Sequence, residues 1–189
     1  TFDPRWLAWA RELAGVIVTR FRDPDAGGFF DTSDDHEALL LRPKDLEDSA
    51  VPSGNAVAAS VLLRLAAYTG DGELWDLGAS AIGGMAEWLG RAPLAFGHWL
   101  QAAWQVLVEP RELAIIGEPA AEDTRALLAV ADAAWRPDLV VAVGTESEAT
   151  DVPLLAGRTF LGGRATAYLC RRFACQAPAT DPATLAAQL

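Results

Sequence analysis

The segment Arg42–Asn55, RPKDLEDSAVPSGN, gathers the residues of this chain best suited to chemistry. Lys44 is its single lysine, set against fourteen arginines in the whole sequence. The two cations are not equivalent. A guanidinium is a planar fork that keeps its charge, whereas an ammonium is a compact donor whose proton affinity moves with its surroundings. A desolvated Lys44 would serve as a base or a Schiff-base amine. Arg42 suits a carboxylate or sugar hydroxyls, and Asp45 with Asp48 suits acid–base work. Ser53, Gly54 and Asn55 then open a long apolar run. The exposed N–H groups of such a helix start favour an anion or a hydroxyl-rich ligand, so Ser53 and Asn55 are candidate substrate contacts. The competing reading is structural: a salt-bridged loop that fixes the chain path, with Ser53 and Asn55 only capping.

A second candidate is Phe29-Phe30-Asp31. Phe30 would stack on a sugar ring while Asp31 holds its hydroxyls; the alternative is a core Phe pair followed by a turn-forming Asp. Seven tryptophans fall at apolar helical positions and are read as core. Trp75, just after the Gly70-Asp71 turn, is the one put forward as a ligand contact. Cys170 and Cys175 supply two of the four ligands that a structural zinc site needs, so neither a metal nor another cofactor is expected. They are read as two ordinary thiols; a redox role would require exposure and a lowered pKa.

The elements that must position these residues are mostly helical. Pro4–Arg20 carries Trp6, Trp9, Leu13, Val16 and Ile17 on one face, with Asp3 as cap and Pro4 at the first helical position. Phe21–Leu41 is a glycine-broken loop with short extended pieces. The helix opened by Ser53 is apolar on almost every face, which marks a buried helix, and Gly70 ends it. Asp71 caps the next, and Pro93 starts another. Glu112–Ile116 and Leu139–Val143 read as short strands around a helix at Pro119–Trp135, a small βαβ unit. Asp151–Arg164 is loop, TAYLC is extended, and Asp181 caps a terminal helix.

Composition narrows the class. Of 189 residues, 51% are hydrophobic and 22% charged, the balance of a globular chain rather than a disordered one. A formal charge of −11 argues against nucleic acid and anionic membrane, whose binding depends on Lys and Arg. No apolar run approaches the roughly 20 residues that span a bilayer. The N-terminus lacks the basic start of a signal peptide, and a cytoplasmic location is expected. The chain does not start with Met and is expected to begin inside a longer protein.

Four motifs in order carry a family resemblance: GGFFDTSDD, LLLRPKDLEDSAVPSGNAVAASVLLRLAAYTGD, ELAIIGEP and TAYLCRRFACQAPATDPATLAAQL. The sequence resembles the C-terminal part of thioredoxin-domain-containing proteins related to N-acylglucosamine 2-epimerases. That resemblance implies a mainly α fold, a partial (α/α)6 toroid of helix hairpins with a small β addition. It divides the chain into hairpins at 1–110, a βαβ-like insertion at 111–145 and a tail at 146–189, without the N-terminal thioredoxin-like domain. It also implies a ligand cup at one end of the inner helices, where the Arg42–Asn55 loop would lie. Epimerases of this kind use a histidine pair as acid and base, which brings in His98, while His36 sits in an acidic loop. The functions expected are binding or isomerising a sugar, a non-catalytic interaction module, or a redox-linked accessory domain. The expected partner is a second copy or the missing half of the ring.

Overall fold

The structure is a computed structural model that describes residues 2–37, 40–147 and 152–189. Residues 38–39 of the expected Phe21–Leu41 loop, and Asp151 at the head of the next, lie outside the described residues. The chain forms two compact units. One is helical and holds residues 8–66 and 71–108; the other is α/β and holds residues 1–7, 67–70 and 109–189.

The helical unit takes residues 8–16 of α1 (Pro4–Val16), which continues through a π-turn at Ile17–Phe21, residues 54–66 of α2 (Gly54–Thr69), and the whole of α3 (Gly72–Arg91) and α4 (Gly97–Leu107). α2 is the inner helix. Ala56, Ala59, Leu62 and Leu63 are fully buried, as its all-round apolar sequence requires. α3 comes very close to it at Gly78, where a Cβ would lie 2.9 Å from the Ala59 carbonyl oxygen and 2.9 Å from Leu63. The caps follow the sequence. Asp71 accepts the N–H groups of Glu73 and Leu74 to start α3, and Ser53 Oγ accepts that of Ala56 to start α2. Pro93 starts a single 3-10 turn, Pro93–Ala95, and α4 begins four residues later than Pro93.

The α/β unit corrects the expected fold class. Helices cover 47% of the described residues and strands 14%, and the strands form one four-stranded mixed sheet rather than a minor addition to a toroid of hairpins. β1 (Arg111–Ile116) and β2 (Leu139–Gly144) pair in parallel, joined by α5 (Glu122–Asp132), because parallel neighbours need a crossover of this length. β3 (Thr166–Arg171) then pairs antiparallel on the other side of β1, and β4 (Ala174–Cys175) on β3, giving the order β2-β1-β3-β4. Residues 166–188, expected as a tail, thus supply half the strands and α6 (Pro182–Gln188). α6 is capped by Asp181, which accepts the Thr184 N–H at 2.9 Å. Leu113, Ile115, Ala167, Leu169 and Val143 from one sheet face pack with Leu127 and Ala131 of α5 and Leu185 of α6. The physical reason for the correction is this apolar face, which alternates at a period of two on three strands and is large enough to build its own core.

The opposite face of β1 carries Glu112, only 3% exposed. Its Oε2 accepts the Phe173 N–H at 2.8 Å. Burial pushes its pKa above the ordinary value, partly offset by the N–H groups of Phe173 and Arg172. The native state therefore holds this proton more tightly than the unfolded chain. Stability from this group is present below about 4.5 and is lost as pH rises through the higher native value. Glu112→Gln keeps the acceptor and abolishes the titration. Its stability relative to the parent, measured by urea unfolding, is expected to rise as pH climbs above about 4.5 and to level off once the native carboxyl has ionised; a difference that does not change with pH would refute the assignment.

Candidate functional site

The helical unit contains a cavity of 620 Å³ lined by Asp23, Gly27, Lys44, Asn55, Ser80 and Met85 among others. Its rim is the loop that follows the π-turn. Asp23 and Gly28 close that loop by a backbone hydrogen bond of 2.9 Å, beside a bridge between Arg22 and Phe29. Within it, Asp23 Oδ1 accepts the N–H groups of Asp25 and Ala26, and Gly27 and Gly28 take φ of 73° and 68°. Gly28 is required twice over: its φ is left-handed, and a Cβ there would meet Asn55 Oδ1 at 2.9 Å.

Lys44 reaches back into this loop. Its ammonium lies 2.5 Å from Asp23 Oδ2, donates to the Gly27 carbonyl at 2.6 Å and sits 4.9 Å from the centre of the Phe30 ring. Lys44 holds the Asp23 carboxyl down at about 2, with the Ala26 and Asp25 N–H groups adding to the effect. What this carboxylate contributes to stability is present above 3.8 and is lost only as pH falls through about 2.

Asn55, 1% exposed, clamps the same loop from α2. Its Oδ1 accepts the Phe29 N–H and its Nδ2 donates to the Phe29 carbonyl, both at 2.7 Å. Behind these polar groups, Phe29, Leu77, Met85 and Trp99 form an apolar wall, and Trp99 Nε1 donates to the Leu46 carbonyl at 2.8 Å.

Of the residues singled out from the sequence, Phe29, Lys44 and Asn55 line the cavity. The others stand around it in supporting positions. Asp48 binds two helix starts: its carboxylate accepts the Ser53 N–H at 2.9 Å and the His98 N–H at 2.7 Å. Asp31 Oδ2 accepts the Asp45 N–H at 2.8 Å, and Asp45 Oδ1 that of Glu47 at 3.3 Å, so these carboxylates shape the chain. Arg42 stacks on Phe30 at 4.1 Å and donates to the Arg20 and Thr32 carbonyls. Phe30 is therefore covered by two cations instead of standing open to a sugar. Ser53 caps α2, His98 begins α4 and Trp75 lies half-buried on α3; none of the three lines the cavity. Asp23 and Ser80 were not singled out. DPDAGG does announce a turn, but nothing local ties its Asp23 to a lysine 21 positions later.

The two cysteines form a disulfide across the β3–β4 hairpin, which corrects their reading as ordinary thiols. They face each other in the antiparallel register on either side of the turn residues Arg172 and Phe173. Among the described residues no group of His, Cys, Asp or Glu could hold a metal ion, and no helix is long and apolar enough to cross a membrane.

Comparison with known proteins adds kinship. No family model matches the chain. The chain is similar to spermatogenesis-associated protein 20 of mouse and of human, each 34% identical over 188 residues, and of rat, at 33%. The match covers 97% of this chain and 24% of each relative, so the chain spans about a quarter of their length. The relatives' name states no ligand and no reaction.

Proposed function

We propose that the cavity of the helical unit binds a small hydroxyl-rich molecule of the sugar class. The observation that carries this reading is the convergence of the Asp23–Lys44 pair, the Ser80 hydroxyl and an apolar wall around 620 Å³ of space. Small-molecule sites have about 300–1,000 Å³ and combine a mostly apolar lining with a few oriented polar groups. Two of the three ammonium donors of Lys44 serve Asp23 and Gly27, which leaves a third for a ligand oxygen. Asp23 offers a carboxylate that remains ionised throughout the physiological range. The role is binding: Asp48 spends both carboxylate oxygens, and Asp45 its Oδ1, on backbone N–H groups.

Titration calorimetry of the intact chain with neutral hexoses and N-acyl amino sugars tests the reading. At least one is expected to bind, and Lys44→Met is expected to weaken it about tenfold, or ~1.4 kcal/mol. Absence of binding across the panel at millimolar concentration would reject it.

A second reading concerns α1, where Trp9, Leu13 and Val16 form an apolar stripe at helical spacing and are 59%, 64% and 44% exposed. Such a stripe favours self-association through a second copy. Light scattering of the chain is expected to give the mass of a dimer that Leu13→Glu converts to a monomer.

A further inference from the structure

The hairpin disulfide has a charged setting that a purely structural cross-link does not need. Cys170 is 1% exposed, whereas Cys175 faces solvent. One guanidinium nitrogen of Arg158, Nη2, lies 3.3 Å from both sulfurs. Its Nη1 donates to the Leu154 carbonyl, which anchors the fork, and its Cζ stands 5.9 Å from the centre of the Tyr168 ring. Nε of Arg158 is buried with no hydrogen-bond partner among the described residues. Glu112 occupies the position on β1 directly opposite Cys170. The hairpin turn is itself under tension, since Arg172 and Phe173 both take left-handed φ, 49° and 62°, without being glycine.

A guanidinium held against a sulfur contributes little to a neutral disulfide, but it stabilises the thiolate that leaves when the bond is cut. The two sulfurs also differ in access, which decides where a nucleophile arrives. We propose that Cys170–Cys175 is a reducible dithiol–disulfide centre whose co-substrate is a dithiol reductant, with Cys175 as the attacked sulfur and Cys170 as the leaving thiolate beside Arg158.

In the first step a reductant thiolate forms a bond to Cys175 Sγ. The Cys170–Cys175 bond breaks, and its electron pair leaves on Cys170 Sγ. In the second step the other thiol of the reductant, as thiolate, attacks its own sulfur in the mixed disulfide and releases Cys175 as a thiolate. The reductant departs as its disulfide, oxidised by two electrons. The two protein thiolates take protons from solvent. The Cys170–Cys175 pair is one of only two pairings between β4 and β3, so reduction removes the covalent hold on that edge.

The test is alkylation of the native chain with iodoacetamide, read by mass, before and after exposure to dithiothreitol. No alkylation is expected without reductant; after it the fold stays intact by circular dichroism, and two cysteines are alkylated when iodoacetamide is then added in denaturant. Arg158→Gln is expected to slow native reduction roughly tenfold through the poorer leaving group, while leaving the rate in denaturant unchanged. Should that variant not fold, Arg158→Lys keeps a charge without the fork and is expected to be reduced more slowly than the parent. Two cysteines alkylated without reductant would overturn the proposal. So would a bond that yields only in denaturant, or folded Arg158 variants reduced at the parental rate.

Discussion

Asn55→Leu is expected to destabilise the helical unit by roughly 2–6 kcal/mol, the cost of leaving two buried backbone groups without partners at about 1–3 kcal/mol each. The groups are the N–H and the carbonyl of Phe29, both held at 2.7 Å by one side chain that is 1% exposed. Leucine matches asparagine in branching, but its methyls cannot sit 2.7 Å from a backbone N or O, so the loss adds a steric part to that of the hydrogen bonds. Asn55→Asp separates the two bonds. It retains an acceptor for the N–H but sets a carboxylate oxygen against the carbonyl, so it should be no more stable than the leucine variant despite keeping one bond. Both follow from urea unfolding monitored by tryptophan fluorescence. A loss under 1 kcal/mol for either variant would mean that the loop does not depend on this clamp. Because the clamp fixes the rim of the cavity, ligand affinity should fall with the same substitutions.

The second large effect is expected at the end of β1. A Cβ on Gly117 would fall inside the contact shell of Thr124 Oγ1 and reach 3.0 Å from the Ala165 Cβ. Thr124 is fully buried and its hydroxyl has no hydrogen-bond partner among the described residues. Gly117→Ala is therefore expected to cost about 1–3 kcal/mol through overpacking. Thr124→Ala should cost little in polar terms, because the hydroxyl it removes makes no bond. The double variant should be more stable than Gly117→Ala alone, since it deletes the atom that the new methyl strikes. A double-mutant cycle that shows strict additivity would indicate that the strand end relaxes away from α5 instead.

Legibility followed the range of each interaction. Asp71, Ser53 and Asp181 could be read as caps because the N–H groups they satisfy lie within a few positions. The strands around Leu113 and Val141 were legible as short apolar runs, and the crossover helix between them by its length. What was hidden is pairing at a distance. β3 was readable as extended, but its seat beside β1 joins residues some 55 positions apart, and no local pattern specifies that. Without that pairing, the hairpin resemblance suggested a toroid addition where a separate sheet core forms. The same holds at the cavity. Lys44 stood out by type alone, yet its partners Asp23 and Gly27 come from a preceding loop. Asn55 looked like a capping residue, but its side chain reaches Phe29 and Ser53 performs the capping. The disulfide is not legible locally, because its turn lacks the Asn-Gly or Asp-Gly pair that ordinarily marks a two-residue hairpin.

The most direct test of the central claim, that this cavity is a ligand site, is a titration of the isotope-labelled chain with the best-binding sugar, followed through backbone amide resonances. The account predicts saturable shifts concentrated at Gly27, Gly28, Lys44, Asn55 and Ser80, which surround the cavity. Shifts that spare these residues at saturation, or that gather on the β sheet, would contradict it.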